Sequence, residues 1–252
     1  MSNSPNPESK EAGGARAMVS IVLPVHNQAG YIGDTVAKYE AALAGLKAAH
    51  EFILVTNACR DHSVEVCQEL ASKFPTVRTV NTERGGWGLA VKLGLANAKG
   101  DMLCYTNSAR TTPEELRLLI DSAFANPGMA IKGHRISRES FTRKIGSLLY
   151  NTECRVLFNL PAWDINATPK VFSREIYDLL RLRSDGDLID LEFYVKCMKH
   201  DLLVLEVPVY SVVRHGGKST TNFKSAWRMY LGAFHLWRDS KDGLGVFSPR
   251  DP

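Results

Sequence analysis

Short apolar runs alternate with amphipathic segments through the first 110 residues. The apolar runs lie at 19–24, 51–55, 77–80 and 101–105. Runs of this length are typical of strands buried on both faces of a parallel sheet. The segment 31–49, between the first two runs, carries apolar side chains at helical spacing. The alternation predicts an α/β fold with a mostly parallel sheet, flanking helices and right-handed crossovers.

Three further helices are predicted in the same region. One covers 63–74, and another starts in the glycine-rich stretch 84–88 and ends near Gly100. The third begins after Thr112, a good N-cap residue, with Pro113 at its first position and a glutamate at its third.

After Pro127 the pattern is less regular. A strand, an amphipathic helix, two elements of unassigned type and a final strand are predicted at 130–133, 143–160, 171–180, 188–200 and 202–213. Pro208 cannot donate a ladder hydrogen bond, which places the last strand at a sheet edge or at an irregularity.

The domain organisation follows from this pattern. Residues 1–17 are polar and rich in Pro, Gly and Ser, and we expect a disordered leader. Residues 18–220 form one domain, and 221–252 form a helix and tail. The stretch 222–238 has aromatic residues on one side and basic ones among them, which is compatible with an interfacial membrane helix. Packing on the domain, or on a second copy in a homodimer, is an equally good interpretation.

Composition narrows the function classes. The 252 residues are 44% apolar and 23% charged, with a net charge of +4, which is ordinary for a soluble globular protein. That weak basicity suits a phosphorylated ligand or an anionic membrane surface and is too small to indicate nucleic acid. The five scattered cysteines show no zinc spacing, and no signal peptide or spanning segment is visible. We expect a cytoplasmic protein, peripheral at the inner face of the membrane if the 222–238 helix binds there.

Five segments share their order and spacing with a known family. They are Ser20-Ile-Val-Leu-Pro-Val-His-Asn-Gln28, Val55-Thr-Asn-Ala-Cys-Arg-Asp61, Arg84-Gly-Gly-Trp-Gly-Leu-Ala90, Gly100-Asp-Met-Leu-Cys-Tyr-Thr-Asn-Ser-Ala109 and Asp164-Ile-Asn-Ala-Thr-Pro-Lys-Val-Phe172. Together they resemble the family 2 glycosyltransferases, and the last segment resembles the polyprenyl-phosphate (dolichyl-phosphate mannose synthase-like) branch. The resemblance implies a GT-A fold, a Rossmann-like sheet that binds a nucleotide-sugar.

The resemblance also implies which residues bind the donor. They lie at strand ends and in the glycine-rich turn, where ligands of open α/β sheets bind. The candidates for nucleotide-sugar binding are Pro24, His26, Asn27, Gln28, Thr56, Asn57, Gly86, Gly88, Thr106, Asn107 and Ser108. The glycines would let a backbone approach an anion at the start of the following helix.

The chain departs from the family at its metal-binding acids. The family has "D-A-D" near the end of the fourth strand, and this chain offers Thr106, Asn107 and Ser108 there. Divalent cations prefer carboxylate oxygens, so Mg²⁺ or Mn²⁺ is weakly supported and no metal ligand is assigned. Cationic neutralisation of the diphosphate, a donor of different charge, or loss of transfer activity are the alternatives.

The acceptor half keeps more of the family's charged residues. Asp190 and Glu192 resemble an acidic segment near the acceptor and are the candidate catalytic residues. The candidates for binding an acceptor phosphate are Lys132, Arg135, Arg143, Arg214 and Lys218. An acceptor phosphate is already ionised and needs no general base.

Two functions stay open at this point. The first is an inverting glycosyltransferase that moves a sugar from a nucleotide-sugar to a polyprenyl phosphate or related acceptor, without a metal if the neutral strand end binds none. The second is an inactive protein that binds a nucleotide-sugar or a lipid phosphate.

Overall fold

A computed structural model describes residues 17–136, 141–210 and 223–241. Side chains are described from residue 146 onward in the second range and from residue 227 onward in the third. The side chain of Arg143, together with Arg214 and Lys218, lies outside the described residues. So do the leader up to residue 16 and the end of the predicted strand at 202–213.

The strands form one sheet in the order β3-β2-β1-β4-β6-β5-β7. Their bounds are β1 Met18–Val25, β2 Ala49–Asn57, β3 Val77–Thr82, β4 Met102–Tyr105, β5 Ala130–Arg135, β6 Lys170–Ser173 and β7 Val204–Val209. Only β6 runs against its neighbours, and it pairs antiparallel with β4 and β5. The predicted mostly parallel sheet is confirmed, and Pro208 lies in an edge strand as expected.

Eight helices within the described residues flank the sheet. Their bounds are α1 Ile32–Leu43, α2 Ser63–Lys73, α3 Trp87–Asn97, α4 Pro113–Ala125, α5 Phe141–Phe158, α6 Arg174–Leu180, α7 Ile189–Lys199 and α8 Phe223–Lys241. The capping box predicted for α4 is present, since the Thr112 hydroxyl accepts from the Glu115 amide and the Glu115 carboxylate accepts from the Thr112 amide.

Two apolar cores lie on the two faces of the sheet. Residues from α1, α2 and α4 cover one face, and residues from α3, α6 and α7 cover the other. A third cluster joins α5, α7 and α8 beside the sheet. Strands buried on both faces explain why the apolar runs of the sequence are continuous rather than alternating.

Two element boundaries predicted from the sequence are wrong. Helix α1 ends at Leu43 rather than near 49, because Gly45 is a poor helix former and β2 already pairs with β1 from Ala49. The segment 171–180, expected as one element, is strand β6 followed directly by helix α6, whose N-cap is Ser173.

Candidate functional site

The carboxyl ends of the parallel strands meet at one edge of the sheet. Strand β1 lies between β2 and β4, so the strand order reverses beside β1. Such a reversal is where open α/β sheets bind their ligands. The loops that follow β1, β2, β3 and β4 all start at this edge, which is the donor side of the candidate site.

The end of β1 is tied to the end of β2. The imidazole of His26 lies 2.7 Å, through Nδ1, from the carbonyl oxygen of Asn57. Asn27 has a left-handed backbone with φ 53°, and its Oδ1 accepts from the Arg60 amide. The Gln28 amide donates to Ser63 Oγ. His26 and Asn27 keep partly exposed side chains at this edge, and Pro24 is buried in β1.

The two β2 residues predicted to bind the nucleotide make contacts within the protein. The Thr56 hydroxyl donates to Asn81 Oδ1 of β3 at 2.8 Å. The Asn57 amide donates to the Val25 carbonyl at 2.9 Å, while its Oδ1 accepts from Gly86 N at 3.4 Å. Asn57 therefore joins the end of β1 to the glycine-rich turn. Both side chains are buried, so they shape the donor side from behind.

The end of β4 offers one exposed polar side chain out of three. The hydroxyl of Thr106 pairs with that of Thr111 at 2.6 Å, and Ser108 Oγ donates to Gln28 Oε1 at 2.8 Å. Both hydroxyls are fully buried. Asn107 is partly exposed, and its Oδ1 accepts from the Ala109 amide. Of the predicted triplet, Asn107 alone reaches the surface.

These residues do not fit a resident Mg²⁺ or Mn²⁺. The oxygens at the end of β4 are neutral, and two of the three belong to buried side chains with hydrogen-bond partners. Within the described ranges, no group of three or more His, Cys, Asp or Glu side chains converges as a metal site would require. Neutral oxygens alone bind divalent ions poorly.

A cavity of about 330 Å³ opens between the ends of β2 and β3. Its lining is Ala58, Cys59, Arg60, Val64, Asn81, Thr82 and Glu83. The cavity borders the donor side, and its wall continues along the chain into the glycine-rich turn.

The glycines of the turn 84–88 let the backbone of residues 184–186 pack directly against it. A Cβ atom on Gly86 would lie 2.5 Å from the carbonyl oxygen of Asp185, and one on Gly88 would lie 2.2 Å from that of Ser184. The amide of Leu89 donates to the Asp185 carbonyl at 2.9 Å. The first turn of α3 was expected to receive an anion, and instead the backbone of 184–186 packs on it.

The end of β5, the start of β6 and the start of α7 form the other part of this edge, which we call the acceptor side. There Asp190 is a buried carboxylate that accepts from three side chains. Trp87 Nε1 donates at 3.1 Å and the Tyr105 hydroxyl at 2.9 Å. The ammonium of Lys170 forms a short ion pair with the same carboxylate. These three donors engage the Asp190 carboxylate within the protein. The expected catalytic role of Asp190 is thus at odds with its contacts.

Glu192 is fully buried and organises a loop. Its carboxylate accepts from the amides of Arg183 and Ser184, at 2.8 and 2.7 Å, and from Lys196 Nζ at 2.7 Å. The resemblance to an acidic segment suggested a second catalytic acid here, but the contacts of Glu192 fix residues 181–186 against α7.

Two fully buried lysines lie side by side on neighbouring strands. Lys132 of β5 and Lys170 of β6 are register partners. Lys132 forms an ion pair with Glu206 of β7 at 2.5 Å. Burial lowers the pKa of both ammonium groups, and their acidic partners oppose that shift. Lys132 was expected at an acceptor phosphate, but its ammonium does not reach the surface.

Arg135, at the end of β5, forms a bidentate pair with Asp164. Its Nε and Nη2 donate to the two carboxylate oxygens at 2.7 and 2.6 Å, and its backbone amide donates to Oδ2. A guanidinium carries five N–H donors. Arg135 is also partly exposed, which keeps it suitable for a phosphate at this edge.

Several residues of the charged cluster around Asp190 and Arg135 were not among the predicted site residues. Lys170 and Asp164 are the lysine and the aspartate of the Asp164–Phe172 motif, which is the signal that could have identified them. Trp87 and Tyr105 also lie within quoted motifs, but nothing in the sequence indicates that their polar atoms meet Asp190 in the folded chain.

Helix α8 packs on α5 with one face. The Tyr230 hydroxyl donates to the Gly146 carbonyl at 2.8 Å, and its ring meets that of Tyr150 edge-on. The opposite face leaves Trp227, Leu231 and Phe234 exposed. Among the described residues, no helix has the length and apolar character needed to cross a bilayer.

Comparison with solved structures supports the fold. The glucosyl-3-phosphoglycerate synthase of Mycobacterium tuberculosis, solved with Mn²⁺, UDP and phosphoglyceric acid, superposes with a TM-score of 0.69 at 16% identity. The match covers 91% of this chain and 80% of the synthase. The expected GT-A fold is confirmed.

Two curated relatives have similar sequences. The dolichol-phosphate mannosyltransferase of Pyrococcus furiosus is 26% identical over 242 residues, which is 91% of this chain and 67% of that enzyme. The undecaprenyl-phosphate 4-deoxy-4-formamido-L-arabinose transferase of Pseudomonas fluorescens is 27% identical over 169 residues, which is 64% of this chain. The match spans about half of the latter protein, 48% of its length.

A family model matches residues 20–180, which include most of β1, all of β2 to β6, the cavity and the glycine-rich turn. All five motifs lie completely within that range. The chain belongs to glycosyl transferase family 2.

Proposed function

We propose that this chain transfers a sugar from a nucleotide-sugar to a polyprenyl phosphate or related lipid phosphate. The observation that carries the proposal is the arrangement of the sheet edge. The cavity and polar strand ends of the donor side meet the charged cluster of the acceptor side through the hydrogen bond from Trp87 to Asp190. The names of both curated relatives, which include a dolichol-phosphate and an undecaprenyl-phosphate transferase, support a lipid phosphate as the acceptor.

The proposed reaction is a direct displacement. An oxygen of the acceptor phosphate attacks the anomeric carbon, the bond from that carbon to the diphosphate oxygen breaks, and the nucleoside diphosphate leaves with the bonding electrons. The configuration at the anomeric carbon inverts. The acceptor phosphate is already ionised, so no side chain has to remove a proton, which agrees with a carboxylate of Asp190 that is engaged by donors within the protein. Positioning and electrostatic stabilisation of the leaving group supply the catalysis.

The proposed residue roles follow the geometry. His26, Asn27 and Asn107 are partly exposed on the donor side and contact the nucleotide-sugar. Gln28, Thr56, Asn57, Thr106 and Ser108 support them from behind. Arg135 binds the acceptor phosphate, because arginine pairs well with phosphate oxygens and this side chain lies at the edge.

The exposed face of α8 contributes membrane contact. Three large apolar side chains, Trp227, Leu231 and Phe234, are exposed on the side away from α5. An acceptor with a polyprenyl tail resides in a bilayer, and an amphipathic helix with aromatic residues binds the bilayer interface. A second copy of the chain is the competing occupant of this face.

The proposed function is tested by transfer from a panel of UDP- and GDP-sugars to undecaprenyl and dolichyl phosphate in detergent, with EDTA and with Mn²⁺. We expect a lipid-linked sugar and a released nucleoside diphosphate in equal amounts. We also expect activity in EDTA, since the strand ends do not fit a metal. No product with any donor would reject the proposal. Nucleotide binding without any product would favour the inactive binding protein instead.

Asn107→Asp is the matched variant for the metal question. A carboxylate at the one exposed position of the β4 end supplies a hard ligand. We expect Mn²⁺ to change the activity of this variant more than that of the parent. Parent activity that depends entirely on Mn²⁺ would contradict the proposed metal-independent transfer.

A further inference from the structure

Two cations on the donor side are bridged by one exposed carboxylate. Arg84 Nη2 lies 3.1 Å from Asp185 Oδ2, and Lys92 Nζ lies 2.7 Å from Asp185 Oδ1. Each cation contacts a different oxygen of the same group. A phosphate group presents pairs of oxygens in a comparable way, and it is the ligand that arginine and lysine together favour.

The backbone of Asp185 is fixed, whereas its carboxylate is not enclosed. The Asp185 carbonyl accepts from the Leu89 amide, and the surrounding backbone packs against Gly86 and Gly88. The side chain of Asp185 is 48% exposed, and that of Arg84 is 74% exposed. Exposed ion pairs contribute little to stability, so the carboxylate can rotate away at small cost while the loop stays in place.

The position of the two cations fits the order of groups in a nucleotide-sugar. The cavity wall ends at Glu83, and Arg84 is the next residue. Trp87, one turn further on, contacts Asp190 on the acceptor side. A nucleoside in the cavity would have its diphosphate beside Arg84 and Lys92, and its sugar near the acceptor cluster.

We propose that Arg84 and Lys92 bind the diphosphate of the donor and that the Asp185 carboxylate occupies this anion site until the diphosphate displaces it. This inference rests on the proposed function for the identity of the ligand. The anion site itself does not depend on it. The two cations neutralise the diphosphate in place of a metal ion, for which the end of β4 has no acidic ligands.

The test compares Asp185→Asn with Asp121→Asn. Asp121 of α4 forms an ion pair with Arg117 at 2.7 Å and is 49% exposed, so its variant removes the same charge and a similar contact away from the loop that holds Asp185. Dissociation constants are measured in EDTA by calorimetry for UDP, GDP, uridine, guanosine and pyrophosphate. Circular dichroism verifies that both variants are folded.

We expect Asp185→Asn to bind the diphosphates that bind the parent, and pyrophosphate, about three- to fivefold more tightly. Nucleosides should bind unchanged, and Asp121→Asn should behave as the parent. Arg84→Ala should weaken the binding of the same phosphorylated probes. The gain in Asp185→Asn should shrink in about 1 M salt, because the two cations are partly exposed.

The outcomes separate the two proposals. Tighter pyrophosphate binding without nucleotide binding would keep the anion site and reject its role with the donor. Tighter diphosphate binding in a protein that transfers no sugar would keep this inference and reject the proposed function. Equal constants in Asp185→Asn and Asp121→Asn for every phosphorylated probe, or no binding of any of them, would overturn the inference.

Discussion

The buried polar side chains of the donor side and of the acceptor side are paired in different ways. On the donor side, neutral side chains pair with one another, as Thr106 with Thr111 and Ser108 with Gln28. On the acceptor side, full charges pair, as Lys170 with Asp190 and Lys132 with Glu206. The two sides lie on neighbouring strands, yet their buried polar pairs differ in charge.

This difference shows where the charge of the family motifs persists. The chain has neutral residues in place of the acids at the end of β4, while the acceptor side carries balanced pairs. A neutral network is worth little per bond but costs free energy when one partner is removed. A buried ion pair is roughly neutral as a whole and costly to break on one side only. The two sides should therefore respond differently to single substitutions.

The largest effect is expected for Lys170→Met on the acceptor side. The substitution leaves the carboxylate of Asp190 buried without its cation, which should lower the free energy of unfolding by about 3–5 kcal/mol. Urea denaturation measures the change. The double variant with Asp190→Asn removes the charge yet keeps an acceptor for Trp87 and Tyr105, and it should recover about 1–2 kcal/mol. Equal stability of single and double variants would show that the charge of Asp190 is not compensated by Lys170.

A smaller effect is expected for Ser108→Ala on the donor side. The variant leaves Gln28 Oε1 buried without the Ser108 donor, at a cost of about 1–3 kcal/mol. Ser122→Ala is the matched control, because the Ser122 hydroxyl donates to a helix carbonyl at the surface of α4 and should matter by about 0.5 kcal/mol or less. If the two serine variants lost the same stability in urea, the donor side would not depend on its neutral network.

The smallest effect concerns Asp61, a carboxylate that joins the donor-side loops. Burial raises the pKa of Asp61, but hydrogen bonds from Ser63 and from the Ala29 amide together lower it overall. A pKa lowered in the folded state contributes stability above the unfolded pKa of about 3.9, and that stability is lost as pH falls through the folded value. The urea midpoint should decline more steeply below about pH 4 in the parent than in Asp61→Asn. A parent and variant with parallel profiles would show that Asp61 makes no such contribution.

Much of the fold was predictable because its signals are local. The apolar runs gave the strands β1 to β4, and Thr112, Pro113 and Glu115 gave the start of α4. The end of α1 was missed because it depends on where β2 begins to pair with β1, which is a contact between distant residues. The strand β6 was missed because it is short and runs directly into α6.

The site was less predictable than the fold. The motifs located the sheet edge, but not which side chains are exposed there. Nothing in the sequence distinguishes Thr106 from Asn107, and only the folded chain buries the first against Thr111. The same holds for Lys132, whose surroundings are set by Glu206 on a strand more than 70 residues away.

The glycine-rich turn and the loop 184–186 meet as backbone against backbone. At Gly86 and Gly88 no side chain lies between the two segments, and neither position has space for a Cβ atom. Most contacts between elements of a protein consist of side chains that change rotamer to absorb a displacement, whereas at these two glycines the contact is made by backbone atoms. The spacing between the donor side and the start of α7 is therefore fixed mainly by backbone packing, beside which the exposed ion pairs of Asp185 lie at the surface. Insertions into 184–186, or larger residues at either glycine, would displace one half of the sheet edge relative to the other.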